Sequence, residues 1–288
     1  MLNVLVIGFN RSDFIKRQLM MLDKNSLIQS VFLVIDGPRK NNYFDCTQQD
    51  DILSWLETFN PSYKLSCLFE KENRGCKKGV EYALDSFFKK FEDGVILEDD
   101  CHADPVFFEF FLRAKKYLDD DNVFMLSACS FIKTASPQKI FLSKNPHIWG
   151  WATSSKKWNE YRQVTNYYTI WNLIRVISRN SLLENIYFLP KWLQAKWGKI
   201  DTWDYDLSFY FRLKKKLCLV PGVNLVKNIG IEGVGAHQIA ITDDLSNKEV
   251  GLTLKIPQLS VPKLDVRYDK SIISRRLYNK IRKLVTRC

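Results

Sequence analysis

No run of about 18 apolar residues occurs in the 288-residue chain, so no transmembrane helix is expected. The seven cysteines, at positions 46, 67, 76, 101, 129, 218 and 288, are odd in number and form no Cys-x-x-Cys pair. That spacing argues against a cysteine zinc site and a disulfide framework, and favours reduced thiols in a cytoplasm. Neither the Gly-x-Gly-x-x-Gly fingerprint nor a P-loop sequence is present, which argues against an ordinary dinucleotide fold or a P-loop nucleotidase. The opening segment Met1 to Gly8 lacks a basic flank and meets a polar turn too soon for a signal peptide.

What is present is a globular composition, 46% hydrophobic and 14% aromatic, with a formal charge of +11. A basic surface attracts anions: nucleic acid, an anionic leaflet or nucleotide phosphates. The first hundred residues alternate in period. Leu2 to Ile7 reads as a buried strand, Gly8 to Ser12 as a turn ending in a helix cap, and Phe14 to Leu22 as a helix. A strand at Val31 to Ile35, a helix at Asp51 to Phe59 and a strand at Lys64 to Phe69 follow. Asn73-Arg74-Gly75 then turns into a helix ending near Phe91. Such alternation predicts an α/β fold with a doubly wound, mostly parallel sheet and loops gathered at one edge.

The chain is organised around Gly94 to Cys101. Its apolar run reads as a buried strand, and Glu98, Asp99 and Asp100 follow at the end where open sheets place ligands. Three adjacent acids repel unless they are solvated or share a cation, and oxygen ligands suit Mg²⁺ or Mn²⁺. Asp104 and Pro105 start a phenylalanine-rich helix, and Val123 to Ala128 reads as the next strand. Trp149 to Thr153 is densely aromatic and reads as core packing by the burial habits of tryptophan, and residues 161–199 read as two helices forming an inserted wall or lid. Thr202 to Asp206 opens a helix, in which Asp204 also suits a capping role. Leu217 to Val220 is a late strand, and Pro221 to His237 a long loop. From Lys270 to Cys288 the apolar residues fall near helical spacing among cations without an acid, as in a basic amphipathic helix on an anionic membrane or a solvated terminal helix.

In this order, Asn10-Arg11-Ser12, Asp36-Gly37, Asn73-Arg74-Gly75, Glu98-Asp99-Asp100, Trp149-Gly150-Trp151, Trp203-Asp204 and Gly230 to His237 resemble a bacterial GT-A glycosyltransferase of the N-acetylglucosaminyltransferase I type. The resemblance implies a GT-A domain over residues 1–240, with 161–199 as a helical acceptor wall and 241–288 as an extension. It implies a UDP-sugar donor carrying N-acetylglucosamine or another hexose, a Mn²⁺ or Mg²⁺ ion, and a glycan or lipid-linked glycan acceptor. Lipopolysaccharide, capsule or lipid-linked oligosaccharide synthesis at the inner face of a bacterial cytoplasmic membrane is the setting it suggests. By the same resemblance Asp100 and His237 are the metal ligands. Phe9, Arg11, Asp36, Arg74, Lys78, Glu98, Asp99 and Trp151 serve the donor, and Asp204, with Asp206 as alternative, is the catalytic base of an inverting transfer.

Two other readings stand beside it. A nucleotidyltransferase-like enzyme of nucleotide sugars also uses acids after a strand, but normally with a glycine-rich basic loop that Gly8 to Ser12 lacks. A non-catalytic module binding nucleic acid or membrane is motivated by the charge and the interleaved aromatics, although nucleic acid is the less expected partner.

Overall fold

The computed structural model describes residues 1–132, 138–164, 167–230 and 261–285. Its first half alternates as the periodicity requires: β1 (Leu2–Gly8), α1 (Ser12–Asp23), β2 (Ile28–Ile35), α2 (Tyr43–Leu56), β3 (Lys64–Phe69), α3 (Gly75–Phe88) and β4 (Asp93–Glu98). There follow β5 (Cys101–Ala103), α4 (Pro105–Ala114), β6 (Val123–Ser127), β7 (Ile140–Ser143), β8 (Trp151–Ser154) and α5 (Ser155–Gln163). The chain then forms α6 (Ile170–Arg179), α7 (Leu182–Lys196), α8 (Asp204–Lys214), β9 (Leu217–Pro221), β10 (Val226–Asn228) and α9 (Val266–Val285).

Eight strands form one sheet in the order β3-β2-β1-β4-β8-β6-β9-β7. β1, β2, β3 and β4 pair in parallel, while β8 runs antiparallel between β4 and β6. Helices cover both faces, so the central strands carry apolar residues continuously; Val4, Leu5, Val6, Val95, Ile96 and Leu97 are all buried. The mostly parallel α/β sheet expected from the alternation is therefore present. After β1 the chain winds outward through β2 and β3, then returns to β4 on the other side. The loops after β1 and β4 part at this switch, where open sheets leave a crevice.

Several boundaries differ from the sequence reading. α2 starts at Tyr43, eight residues before the expected Asp51, because the Asn42 side chain accepts from Asp45 N at 3.1 Å and caps it. Ser12 is not the cap of α1; its backbone N–H and hydroxyl both donate to Gln48 Oε1 of α2. The aromatic segment around Trp151 is strand β8, which is buried on both faces by its central position. A small antiparallel ribbon, β5 with β10, had no legible pattern at three residues per strand.

The helical wall is α6 and α7, packed on α8. Leu173, Val176, Tyr187, Phe188, Trp192, Phe209, Leu213 and Ile273 form its core, separate from the main one. α9 adds to both cores through Tyr268, Ile272 and Ile273, so it is docked on the sheet domain and is not a free tail. Asp269 holds it there, accepting from the Ser143 hydroxyl at 2.5 Å, Lys144 N at 2.9 Å and Asn145 Nδ2 at 2.8 Å. Asn145 Oδ1 in turn accepts from Arg212 Nη2 at 2.7 Å, and Arg212 faces Glu184 at 3.8 Å.

Candidate active site at the sheet switch point

The Asp99 N–H donates to the Ile7 carbonyl, which extends the β1–β4 pairing one residue past Glu98 and draws Asp99 inward to 2% exposure. Arg11, at the start of α1, spans the crevice to it. Its guanidinium clasps both Asp99 oxygens, and Nη1 reaches Asp100 Oδ2 at 3.0 Å. Gly230 closes over Asp100: a Cβ there would overlap Asp100 Oδ2, so a larger residue would have to displace that carboxylate.

One guanidinium faces three carboxylates. Burial, then repulsion from Asp100 and Asp99, pushes Glu98 up to about 8, with Arg11 opposing. Burial also raises Asp99, although its bond to Arg11 pulls the other way. Asp99 and Asp100 outweigh the burial of Arg11 and hold its charge more firmly. Glu98 accepts no hydrogen bond from the described residues. A further cation would relieve this excess of negative charge.

Beside this cluster, the N-terminus of α3 is filled by the chain's own carboxylates. Asp36, at the end of β2, accepts from Gly37 N (3.0 Å), Arg74 N (2.9 Å), Gly75 N (3.2 Å) and Asn73 Nδ2 (3.0 Å). Asp201 accepts from Cys76 N at 2.8 Å and Lys77 N at 3.2 Å. These bonds satisfy donors that a helix start leaves free. Gly75 makes the turn at φ +78°, and a Cβ there would lie 2.5 Å from Asp201 Oδ2. Asp201 was missed in the sequence, where a lone acid between Ile200 and Thr202 carries no signal.

α8 presents two acids in its first turn, and the structure separates them. Asp206 is buried, paired with Lys77 Nζ, and accepts from the Tyr168 hydroxyl at 2.5 Å. Asp204 has no ion pair among the described residues; it accepts from the Thr202 hydroxyl, and its charge adds to the repulsion felt at Glu98. It also acts on Cys76, whose thiol burial, then Glu98, Asp201, Asp204 and Asp36, push up to about 12. Glu98, Asp201, Asp204 and Asp36 are therefore all close enough to act on the Cys76 thiol.

Of the remaining candidates, Phe9 lies half-buried under Arg39, whose guanidinium sits 5.4 Å from the ring centre. Arg74 gives its guanidinium to Glu70 at 2.6 Å and stacks on Tyr82. Lys78 is exposed; its neighbour Lys77 turns inward to Asp206. Trp151, expected at the donor, is 1% exposed and stacks on Trp203 at 5.7 Å. It is out of a ligand's reach and instead backs the start of α8. His237 lies outside the described residues, as do residues 241–260 of the expected extension. Among the described residues no three His, Cys, Asp or Glu side chains converge to hold a metal. Asp100 itself is engaged on both oxygens, Oδ2 by Arg11 Nη1 at 3.0 Å and Oδ1 by Asn228 Nδ2 at 3.5 Å.

Between α3, α5, α7 and α8 lies a cavity of about 260 Å³, lined in part by Lys77, Glu81, Arg162, Tyr167, Tyr168 and Asp206. Arg162 pairs with Glu81 at 2.8 Å, so its charges are largely matched in pairs.

No family model matches the chain, and no curated protein matches it in sequence. Solved structures similar to it include a mannose-1-phosphate geranyltransferase from Thermus thermophilus, with 10% identity, 77% of this chain and 74% of that one covered, and a TM-score of 0.42. A UDP-glucose pyrophosphorylase complexed with UDP-glucose shares 6% identity over 77% of this chain and 90% of its own, with a TM-score of 0.37. A cytidylyltransferase from Leptospira borgpetersenii shares 10% identity over 57% of this chain and 64% of its own, with a TM-score of 0.35. Similarity at these scores carries no argument about activity.

Proposed function

We propose that the chain is a transferase acting on a nucleotide-activated sugar, and that it moves the sugar to a glycan hydroxyl. The observation that carries this reading is the asymmetry at the switch point: an acidic cluster short of positive charge, faced by Asp204, an acid with no cation of its own among the described residues. A carboxylate so placed can take the proton of an acceptor hydroxyl as it attacks the anomeric carbon. Asp206 is the poorer base, because Lys77 and Tyr168 already hold its lone pairs. Asp100 would hold Mg²⁺ or Mn²⁺ entering with the donor, and the ion would offset charge growing on the leaving diphosphate.

In this reading Asp36 and Asn73 shape the base-binding end of the crevice, and Arg11 keeps Asp99 and Asp100 in register. Asp36 binds mainly by fixing the loop, since its oxygens already accept four donors. The cavity beside Asp206 is of single-ring size, below the roughly 300–1,000 Å³ of pockets for larger ligands. Its tyrosines and paired charges suit a sugar of the acceptor.

Nucleotidyl transfer, joining a sugar 1-phosphate to a nucleoside triphosphate with release of pyrophosphate, is the second reading. It is the type of reaction named for the pyrophosphorylase and the cytidylyltransferase, and it too would use acids after a strand. The single short turn from β1 to α1, with Arg11 bound to Asp99, favours it less.

Calorimetry of UDP, GDP and CMP with and without Mn²⁺, followed by product analysis, separates the two. Mn²⁺-dependent nucleotide binding that Asp100→Ala abolishes, with free nucleoside diphosphate released from a nucleotide sugar, supports glycosyl transfer. Pyrophosphate release from a nucleoside triphosphate and a sugar 1-phosphate would replace it with the second reading. Absence of any nucleotide binding would reject both.

A further inference from the structure

The outward faces of α6 and α7 are apolar and basic. Ile170 (64% exposed), Trp171 (76%) and Ile174 (50%) stand on α6, and Leu182 (76%) and Ile186 (55%) on α7, opposite the faces that pack on α8. Between Glu160 and Asp201 the sequence has six Lys or Arg and a single acid, Glu184. That acid is buried, bound to the Ser181 hydroxyl and N–H at 2.8 Å and facing Arg212. The outward face therefore carries no exposed carboxylate, while Arg175 and Lys199 are exposed; Arg179 turns back to the Leu213 carbonyl of α8, and Lys196 lines the cavity beside Asp206.

We propose that this face docks the protein on an anionic lipid surface, with α6 and α7 lying in the interfacial plane. Charge selects the occupant: a second copy would bring the same cations against these, whereas an anionic leaflet attracts them. Trp171 is of the type that settles at headgroup depth, and the large aliphatics beside it supply the buried area. No helix among the described residues is long and apolar enough to cross a membrane, so the contact is peripheral. On α9, where a membrane face was expected over residues 270–288, Ile272 and Ile273 pack on the protein body, while Tyr278 and Ile281 are exposed. This inference stands apart from the reading of the acidic cleft, and nucleotide binding tests that reading separately.

The test is co-sedimentation of the full chain with vesicles of phosphatidylcholine and phosphatidylglycerol, compared with phosphatidylcholine alone. Binding should require the anionic lipid and weaken with salt. Trp171→Ser with Ile174→Ser, and separately Arg175→Glu with Lys199→Glu, should each lower it at least about tenfold. Circular dichroism and nucleotide binding should be unchanged, since these side chains are exposed. Lys280→Glu with Arg282→Glu on α9 should lower vesicle binding less than either pair. Equal binding to neutral vesicles, no binding to either kind, or a greater loss from the α9 pair would overturn the proposal. So would a dimer seen by light scattering that Trp171→Ser with Ile174→Ser dissolves, which would assign the face to a second copy.

Discussion

Asp269 on α9 and the acids after β4 both lie beneath the surface with an arginine at hand, yet their surroundings differ. Around Asp269 nearly every donor has an acceptor: Ser143, Lys144 and Asn145 donate to it, and Arg212 joins Asn145 to Glu184, with the Arg212 Nε alone of this set left without a partner among the described residues. After β4 one guanidinium serves three carboxylates, and Glu98 is left without a hydrogen bond among the described residues. A matched network locks an element in place; an unmatched one at a sheet switch retains affinity for a ligand. The first therefore belongs to stability and the second to chemistry.

The sharpest way to break this division is at Asp204. Asp204→Ala should lower transfer by about two to four orders of magnitude while leaving donor binding intact, the usual scale for loss of a general base. Unchanged turnover would remove Asp204 from the chemistry. Next comes Arg212→Ala, expected to destabilise the fold by about 3–5 kcal/mol, because it strips a buried partner from Glu184 and Asn145. Asp100→Ala should shift stability by about 1 kcal/mol or less, since it also relieves repulsion at Glu98. Urea unfolding of the two variants compares them directly, and equal losses would erase the distinction.

Glu98 provides a pH test. Its folded pKa lies near 8, above the ordinary value of 4.5, so the native state holds a proton that the unfolded chain releases. Stability from this group is complete below about pH 4.5 and declines as pH rises towards 8, by at most about 1.4 kcal/mol per pH unit. Glu98→Gln should flatten that decline in pH-dependent urea titrations; an unaltered slope would place the proton elsewhere. A modest effect is expected at Asp201, which is exposed. Asp201→Ala should cost about 1 kcal/mol through the lost cap on α3, read as a small fall in the unfolding midpoint.

The acid cluster is legible in the sequence because a β-branched run followed by three carboxylates is a local pattern. Asp36 is equally visible at the end of its strand. Its actual partners, the N–H groups of Arg74 and Gly75, lie 38 and 39 residues away, and no local pattern reports them. Trp151 shows the limit most clearly. Its aromatic neighbourhood suggests either core packing or a ligand platform, and only the antiparallel insertion of β8 between β4 and β6 decides for the core. The two acids of α8 are a similar case: helical spacing sets them on different sides, but the identity of the side that meets Lys77 depends on how α3 and α8 pack.

Periodicity by itself determined the alternation of strands and helices in the first hundred residues, hence the parallel half of the sheet and the edge on which its loops gather. It also placed the acids at that edge. The docking of α9, the burial of its Tyr268, Ile272 and Ile273, and the exposure of α6 and α7 were decided only by tertiary structure. An amphipathic helix shows which of its faces is apolar, but what covers that face depends on partners distant in the chain.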